Sequence, residues 1–317
     1  MRYFSPAAAV LCLPVLLAGC GGAAQDKPTA QDDAAWDQAM TAGRDSFELG
    51  RYTVAVTQYR KAADLALLRD DASAITEAGY DLAVAQLAAN TPDKALQTAQ
   101  ATRQAAGVRG QTQLYSLDLV EAAAHYRLGH YRLGHYSSAI SSATQAMQSS
   151  DSALAGRAAL VLGLAADAQS DSANLQKAAA YLSSLKKPLS TTQQADQAEI
   201  QARVLRQSAP QQAEALAVQA ADLRRNDGSY RDMARALALA ARIASAQGDQ
   251  QKARALWERA AQSAAAQSSG LNRMDAQTLA HGSINKGNYV PPEDDAAAWA
   301  RDAGGVSLRP FEDKDAQ

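Results

Sequence analysis

Residues 36–62 read WDQAMTAGRDSFELGRYTVAVTQYRKA, and the spacing inside this stretch decides the architecture. Tyr52, Ala55, Tyr59 and Ala62 follow one another at steps of three and four, which bring side chains onto one face of an α-helix. The alanines let a second helix approach closely, and the rings fill the flanks of the contact. Gly50 stands two residues before Tyr52, where a chain folding back on itself needs a turn. The stretch therefore reads as a hairpin: a first helix carrying Gly43, a turn at Gly50, and a second helix carrying the Tyr52, Ala55, Tyr59, Ala62 stripe.

The whole chain has the same character. Of its 317 residues 47% are hydrophobic and only 5% aromatic, and 75 alanines make up about half of the hydrophobic class. Alanine buries little area per side chain but is the best helix former. Sandwiches and barrels need β-branched and aromatic residues, so they are excluded and an all-α chain remains. With 20% charged residues, 19 Gly and 9 Pro, the chain is not a collagen, a disulfide scaffold or an acidic disordered tail. The formal net charge of −2 gives no basis for a nucleic-acid surface, and no nucleic-acid partner is expected.

The order in residues 36–62 is a small residue, a turn residue, an aromatic, then small, aromatic and small, filled by Gly43, Gly50, Tyr52, Ala55, Tyr59 and Ala62. It is similar to the tetratricopeptide repeat. Near the other end Ala241, Gly248, Ala253, Trp257 and Ala260 take the same places, with Gln250 where the first aromatic belongs. Between them Gly134, Tyr136 and Ala139 repeat the Gly-x-Tyr-x-x-Ala signature, Pro92 starts a helix, and Ala178 and Ala213 are weaker equivalents. The six alanines Ala55, Ala95, Ala139, Ala178, Ala213 and Ala253 are separated by 40, 44, 39, 35 and 40 residues. The standard repeat has about 34. Either the helices or connectors are longer, or the middle units belong to a divergent helical-hairpin class. The resemblance implies an all-α, right-handed α-solenoid of about five or six antiparallel hairpins over residues 36–268, with a compact bundle as the alternative. It also implies a concave groove formed by the first helices. Carried onto this chain, the groove positions include Arg44, Phe47, Tyr80, Tyr131, Arg132, Arg235 and Arg242, whose aromatic rings and guanidinium groups suit peptide recognition.

The N-terminus carries a second resemblance. Arg2 precedes an apolar run over residues 7–17, too short to span a bilayer and of the length of a signal-peptide core. It ends in Leu17-Ala18-Gly19-Cys20, which resembles the lipobox of bacterial lipoproteins. The resemblance implies that residues 1–19 are removed and that Cys20 receives a covalent lipid; residues 20–35, without helical periodicity from Gly21 to Ala35, read as a flexible lipidated tether. Each buried acyl methylene contributes about 0.8 kcal/mol, so two or three chains hold firmly to a membrane. Gly21 in place of aspartate implies the outer membrane, facing the periplasm, with the inner membrane as the alternative. Cys12 lies in the removed segment, so Cys20 would be the one remaining sulfur of its kind and no disulfide is expected.

Tyr126-Arg127-Leu128-Gly129-His130 is followed at once by Tyr131-Arg132-Leu133-Gly134-His135, a tandem duplication preceded by His125. On one continuous helix a step of five turns each imidazole about 140° round the axis, so these histidines are not expected to share a metal. No phosphate loop, His-Glu-x-x-His or Gly-x-Ser-x-Gly motif occurs. Asp64, Asp70, Asp71 and Asp81 have the spacing of solvated helix faces. No enzyme activity, no small-molecule substrate, no metal and no cofactor beyond the Cys20 lipid is expected. Residues 269–317 read as a partly irregular tail with a short helix at 293–303, whose Trp299 either caps the last hairpin or belongs to a partner-binding peptide. The combined expectation is a membrane-tethered scaffold that binds a protein partner of the cell envelope. The alternative is a periplasmic protein that binds a glycan or small ligand, or regulates a cell-wall enzyme.

Overall fold

A computed structural model describes residues 34–129, 134–267 and 305–311. The lipobox with Cys20, Tyr131, Arg132 and the expected helix at 293–303 lie outside the described residues. The described chain is all-α. Twelve helices pair into six hairpins: α1 (Ala34–Glu48) with α2 (Tyr52–Leu68), α3 (Ala72–Ala88) with α4 (Pro92–Gly107), and α5 (Tyr115–Gly129) with α6 (Gly134–Ala146). They continue with α7 (Ser152–Ala168) and α8 (Ser172–Ser184), α9 (Thr191–Leu205) and α10 (Pro210–Asn226), and α11 (Tyr230–Ala246) and α12 (Gln250–Gln267). The repeat near 40 residues has a simple origin. Helices of 17 residues such as α2, α3, α10 and α11 recur, and connectors such as 89–91 within a hairpin and 227–229 between hairpins are only three residues long.

The turns follow one scheme. Gly50, Gly228 and Gly248 have φ of 69°, 72° and 85°, and Asp70, Asn90 and Ser170 take the equivalent left-handed place in other turns at 56°, 63° and 58°. One residue at positive φ after a helix lets the next amide bond back to the last turn, as Arg51 N–H does to the Ser46 carbonyl at 2.8 Å. Starts are equally local. The Asp71 and Asp151 carboxylates accept from the first amides of α3 and α7, Ser190 and Gln193 form a reciprocal capping box on α9, and Pro92 and Pro210 open α4 and α10.

Each hairpin packs through alanine. Ala55, Ala95, Ala139, Ala178, Ala213 and Ala253 fall one on the second helix of each hairpin, and all are buried. Gly43 lies against the ring of Tyr59 so closely that a Cβ there would sit 2.7 Å from ring carbons, and Gly129 meets Tyr136 in the same way. The first helices α3, α5, α7 and α9 also pack successively on one another, forming an inner layer. Trp257, Ala241 and Ala260 are buried in the core of the last hairpins.

Candidate functional site: an inner face that holds a chain segment

Residues 305–311, Gly-Val-Ser-Leu-Arg-Pro-Phe, run without helix or turn against the inner helices α3, α7 and α11. Their contacts alternate with period two, the signature of an extended chain. Val306 and Leu308 are buried and join the main apolar core with Val84, Leu87, Leu117 and Leu160. The backbone of the odd residues is bonded by side chains. Arg235 donates to the Gly305 carbonyl. Ser307 N–H donates to Asp232 Oδ1 at 3.0 Å, and its carbonyl accepts from Arg157 at 2.7 Å. Tyr80 O–H donates to the Arg309 carbonyl at 3.1 Å, and Phe311 N–H donates to Asp81 Oδ1 at 2.9 Å. The Phe311 and Tyr80 rings lie 4.4 Å apart between centroids. Five side chains thus present the donors and acceptors that a neighbouring strand would present.

Three of them, Arg157, Asp232 and Arg235, are fixed by a buried ion network. Arg157 bridges Asp196 on α9 at 2.6 Å and Asp232 on α11 at 2.9 Å, and Arg224 on α10 pairs with Asp196. Arg235 donates to both carboxylate oxygens of Glu199 and to Asp232, and Arg203 joins Glu199 to Asp167. Four arginines meet four carboxylates across α7, α9, α10 and α11, so each buried charge is compensated. Burial pushes the Glu199 carboxyl up, but Arg235, Arg203 and Arg224 outweigh it and hold it at about 2. Burial likewise opposes ionisation of Asp232, and Arg235, Arg157 and Arg224 hold it well below the usual carboxylate range. Burial raises the Tyr80 phenol, which keeps its proton and remains a donor.

Beyond Leu308 the face opens into a cavity of about 680 Å³ between α1, the α10–α11 turn and the segment, lined among others by Arg44, Phe47, Tyr52, Tyr230, Arg231 and Phe311. Arg231 donates to the Leu87 and Ala88 carbonyls, and Arg127 donates to Leu87 at 2.7 Å. Two guanidinium groups thereby satisfy the C-terminal carbonyls of α3, where the helix dipole favours cations.

The structure brings several of the sequence-derived groove residues to this face. Arg44 and Phe47 line the cavity, Tyr80 bonds the segment, and Arg235 is buried in the ion network while touching Gly305. Arg242 is exposed and lines neither the segment nor the cavity. Asp81 departs from its expected solvated face: it is fully buried and accepts from Phe311. Arg157, Asp196, Glu199 and Asp232 were not singled out from the sequence. The clearest signal among them was Arg157, a charge flanked on both sides by alanines and leucines of α7.

The histidine expectation also changes. His125 lies on α5 and His135 on α6, two helices packed on each other, and the residues meet with Nδ1 atoms 3.0 Å apart and rings stacked at 5.2 Å. Among the described residues no three His, Cys, Asp or Glu side chains are grouped to hold a metal, and no helix is long and apolar enough to cross a membrane.

No family model, curated protein or solved structure matches the chain. Fold and site together define a class: an all-α array of hairpins whose inner face binds an extended segment through its main chain.

Proposed function

We propose that the protein is a lipid-anchored scaffold of the cell envelope, of tetratricopeptide kind, that holds an extended segment of a protein partner on its inner face. The observation that carries the reading is the clamp itself. Arg235, Asp232, Arg157, Tyr80 and Asp81 address successive main-chain groups of residues 305–311 while Val306 and Leu308 enter an apolar floor. Arg235, Asp232 and Arg157 are held rigid because their own charges are paired, and rigid donors bind peptide at little cost in ordering. The Leu17-Ala18-Gly19-Cys20 motif supports a lipid anchor on Cys20, and Gly21 in place of aspartate supports outer-membrane placement with a periplasmic working face. The clamp groups are engaged in ion pairs and main-chain bonds, which fits binding and offers no acid–base pair for an enzyme. A photo-crosslinking residue placed at Phe47 in the cavity, and separately at the exposed Leu68 outside it, tests the reading in intact cells. A single protein crosslinked from position 47 and not from 68 is the expected result. Retention of muropeptides by the purified protein, with no crosslinked protein, would overturn it in favour of glycan binding.

A further inference from the structure

We propose that residues 305–311 are a resident competitor: the inner face accepts extended segments of the pattern small, aliphatic, any, aliphatic, any, any, aromatic, and a partner bearing one must displace the chain's own copy. The inference rests on the partner-binding reading above and adds both the chemistry of the partner and the step that controls its access.

The pattern comes from what each position of the segment meets. A Cβ on Gly305 would lie 3.1 Å from Arg127 Nε, so only a small residue fits without moving that side chain. Val306 and Leu308 are 6% and 7% exposed within the core, which demands aliphatic side chains there. Ser307 is held through its backbone N–H and C=O groups and Arg309 through its carbonyl; the Arg309 guanidinium also donates to the Asp227 carbonyl at 2.9 Å, but that side chain is 64% exposed and its contact adds little, so neither side chain is what the clamp chiefly reads. Phe311 stacks on Tyr80 and borders the cavity. Main-chain bonding gives affinity and alternate side-chain pockets give specificity, as when a strand is added to a sheet edge. Any segment with this pattern satisfies the same donors and acceptors, so the face does not distinguish its own copy from a partner's except by tethering. A tethered copy competes at the effective concentration its connection sets. The cavity against α1 runs alongside the segment and is also lined by Phe47 and Tyr230, so a partner's bulkier side chains have room there.

The test uses a fluorescent peptide, GGVSLRPFEDK, corresponding to residues 304–314. It is titrated into the intact chain and into a Val306→Asp/Leu308→Asp variant whose own segment has lost both anchors. The variant is expected to bind at least tenfold more tightly than the unaltered chain. A peptide carrying the same two aspartates should not bind, and one with Ser307→Ala and Arg309→Ala should bind within about threefold of the parent. No binding to a variant that keeps its helical circular dichroism would overturn the proposal, because the segment would then be a fixed part of the core. Should the variant unfold, hydrogen exchange on the unaltered chain decides. Faster exchange of the Ser307 and Phe311 amides on adding saturating peptide supports displacement, and exchange that the peptide leaves unchanged overturns it. The two readings fail separately. A partner crosslinked at position 47 without peptide exchange retains the scaffold and removes the competitor, whereas peptide exchange without a crosslinked partner does the reverse.

Discussion

The guanidinium of Arg235 on α11 meets the carboxylate of Glu199 on α9 through two parallel bonds, Nε to Oε1 at 2.7 Å and Nη2 to Oε2 at 2.8 Å. Both side chains are buried, and the fork ties one hairpin to the next while its third nitrogen reaches Asp232 and Gly305. Arg235→Met leaves Glu199 and Asp232 short of their main cation, and breaking one side of such a buried pair costs about 3–5 kcal/mol. Urea unfolding followed by circular dichroism should show this loss. A change under about 1 kcal/mol would mean that the network contributes no net stability.

Acid should unfold the protein through the same network. Glu199 and Asp232 have folded-state values below their ordinary ones, so the folded chain binds fewer protons than the unfolded chain. Their contribution is complete above the unfolded carboxylate range near pH 4 and fades as pH falls toward about 2. The melting temperature should drop steeply across that window. In Glu199→Gln it should start lower and lose less, because that carboxylate no longer titrates.

A second, milder pH effect belongs to His125 and His135. With Nδ1 atoms 3.0 Å apart, one ring must donate and the other accept, which two imidazolium ions cannot do. Burial and the neighbouring His135 lower the His125 value, so its contribution is present above the unfolded value near 6.5 and lost as pH falls below it. Stability should decline between about pH 7.5 and 5.5, and His135→Asn should flatten that decline. An unchanged slope in the variant would sink the assignment.

Gly43 permits the closest helix approach in the first hairpin. Gly43→Ala would force its methyl to within 2.7 Å of the Tyr59 ring, and overpacking of this kind costs about 1–3 kcal/mol. Thermal melting should report the loss, and the same substitution in a Tyr59→Leu background should cost clearly less, since the ring is gone. Equal losses in both backgrounds would place the strain elsewhere.

The proposed anchor is checked by one atom. Cys20→Ala removes the sulfur that would carry the lipid. Fractionation should then find the protein released from membranes or retaining residues 1–19. Normal processing with unchanged membrane partition would remove the lipoprotein reading.

Much of the array was legible because its determinants are local. The spacing of Tyr52, Ala55 and Tyr59 names one helix face without reference to anything distant, and the six alanines from Ala55 to Ala253 fall one to each hairpin. Asp81 shows where this kind of reading ends. Its position among polar and apolar neighbours fits a solvated face, yet a segment 230 residues further along the chain covers it and supplies the Phe311 amide. His125 and His135 show the same limit at short range, since the packing of α5 on α6 brings together two rings that a continuous helix would separate.

What the sequence determined by itself was therefore the repeating hairpin: helix periodicity, small residues at contacts and turn residues at ends act within about forty residues, the length of one unit. Which arginine pairs with which carboxylate, and that residues 305–311 lie across the inner face, only the tertiary structure decided. A buried charge is tolerable only beside its partner, and those partners come from α7, α9, α10, α11 and the tail, whose meeting depends on how the hairpins stack.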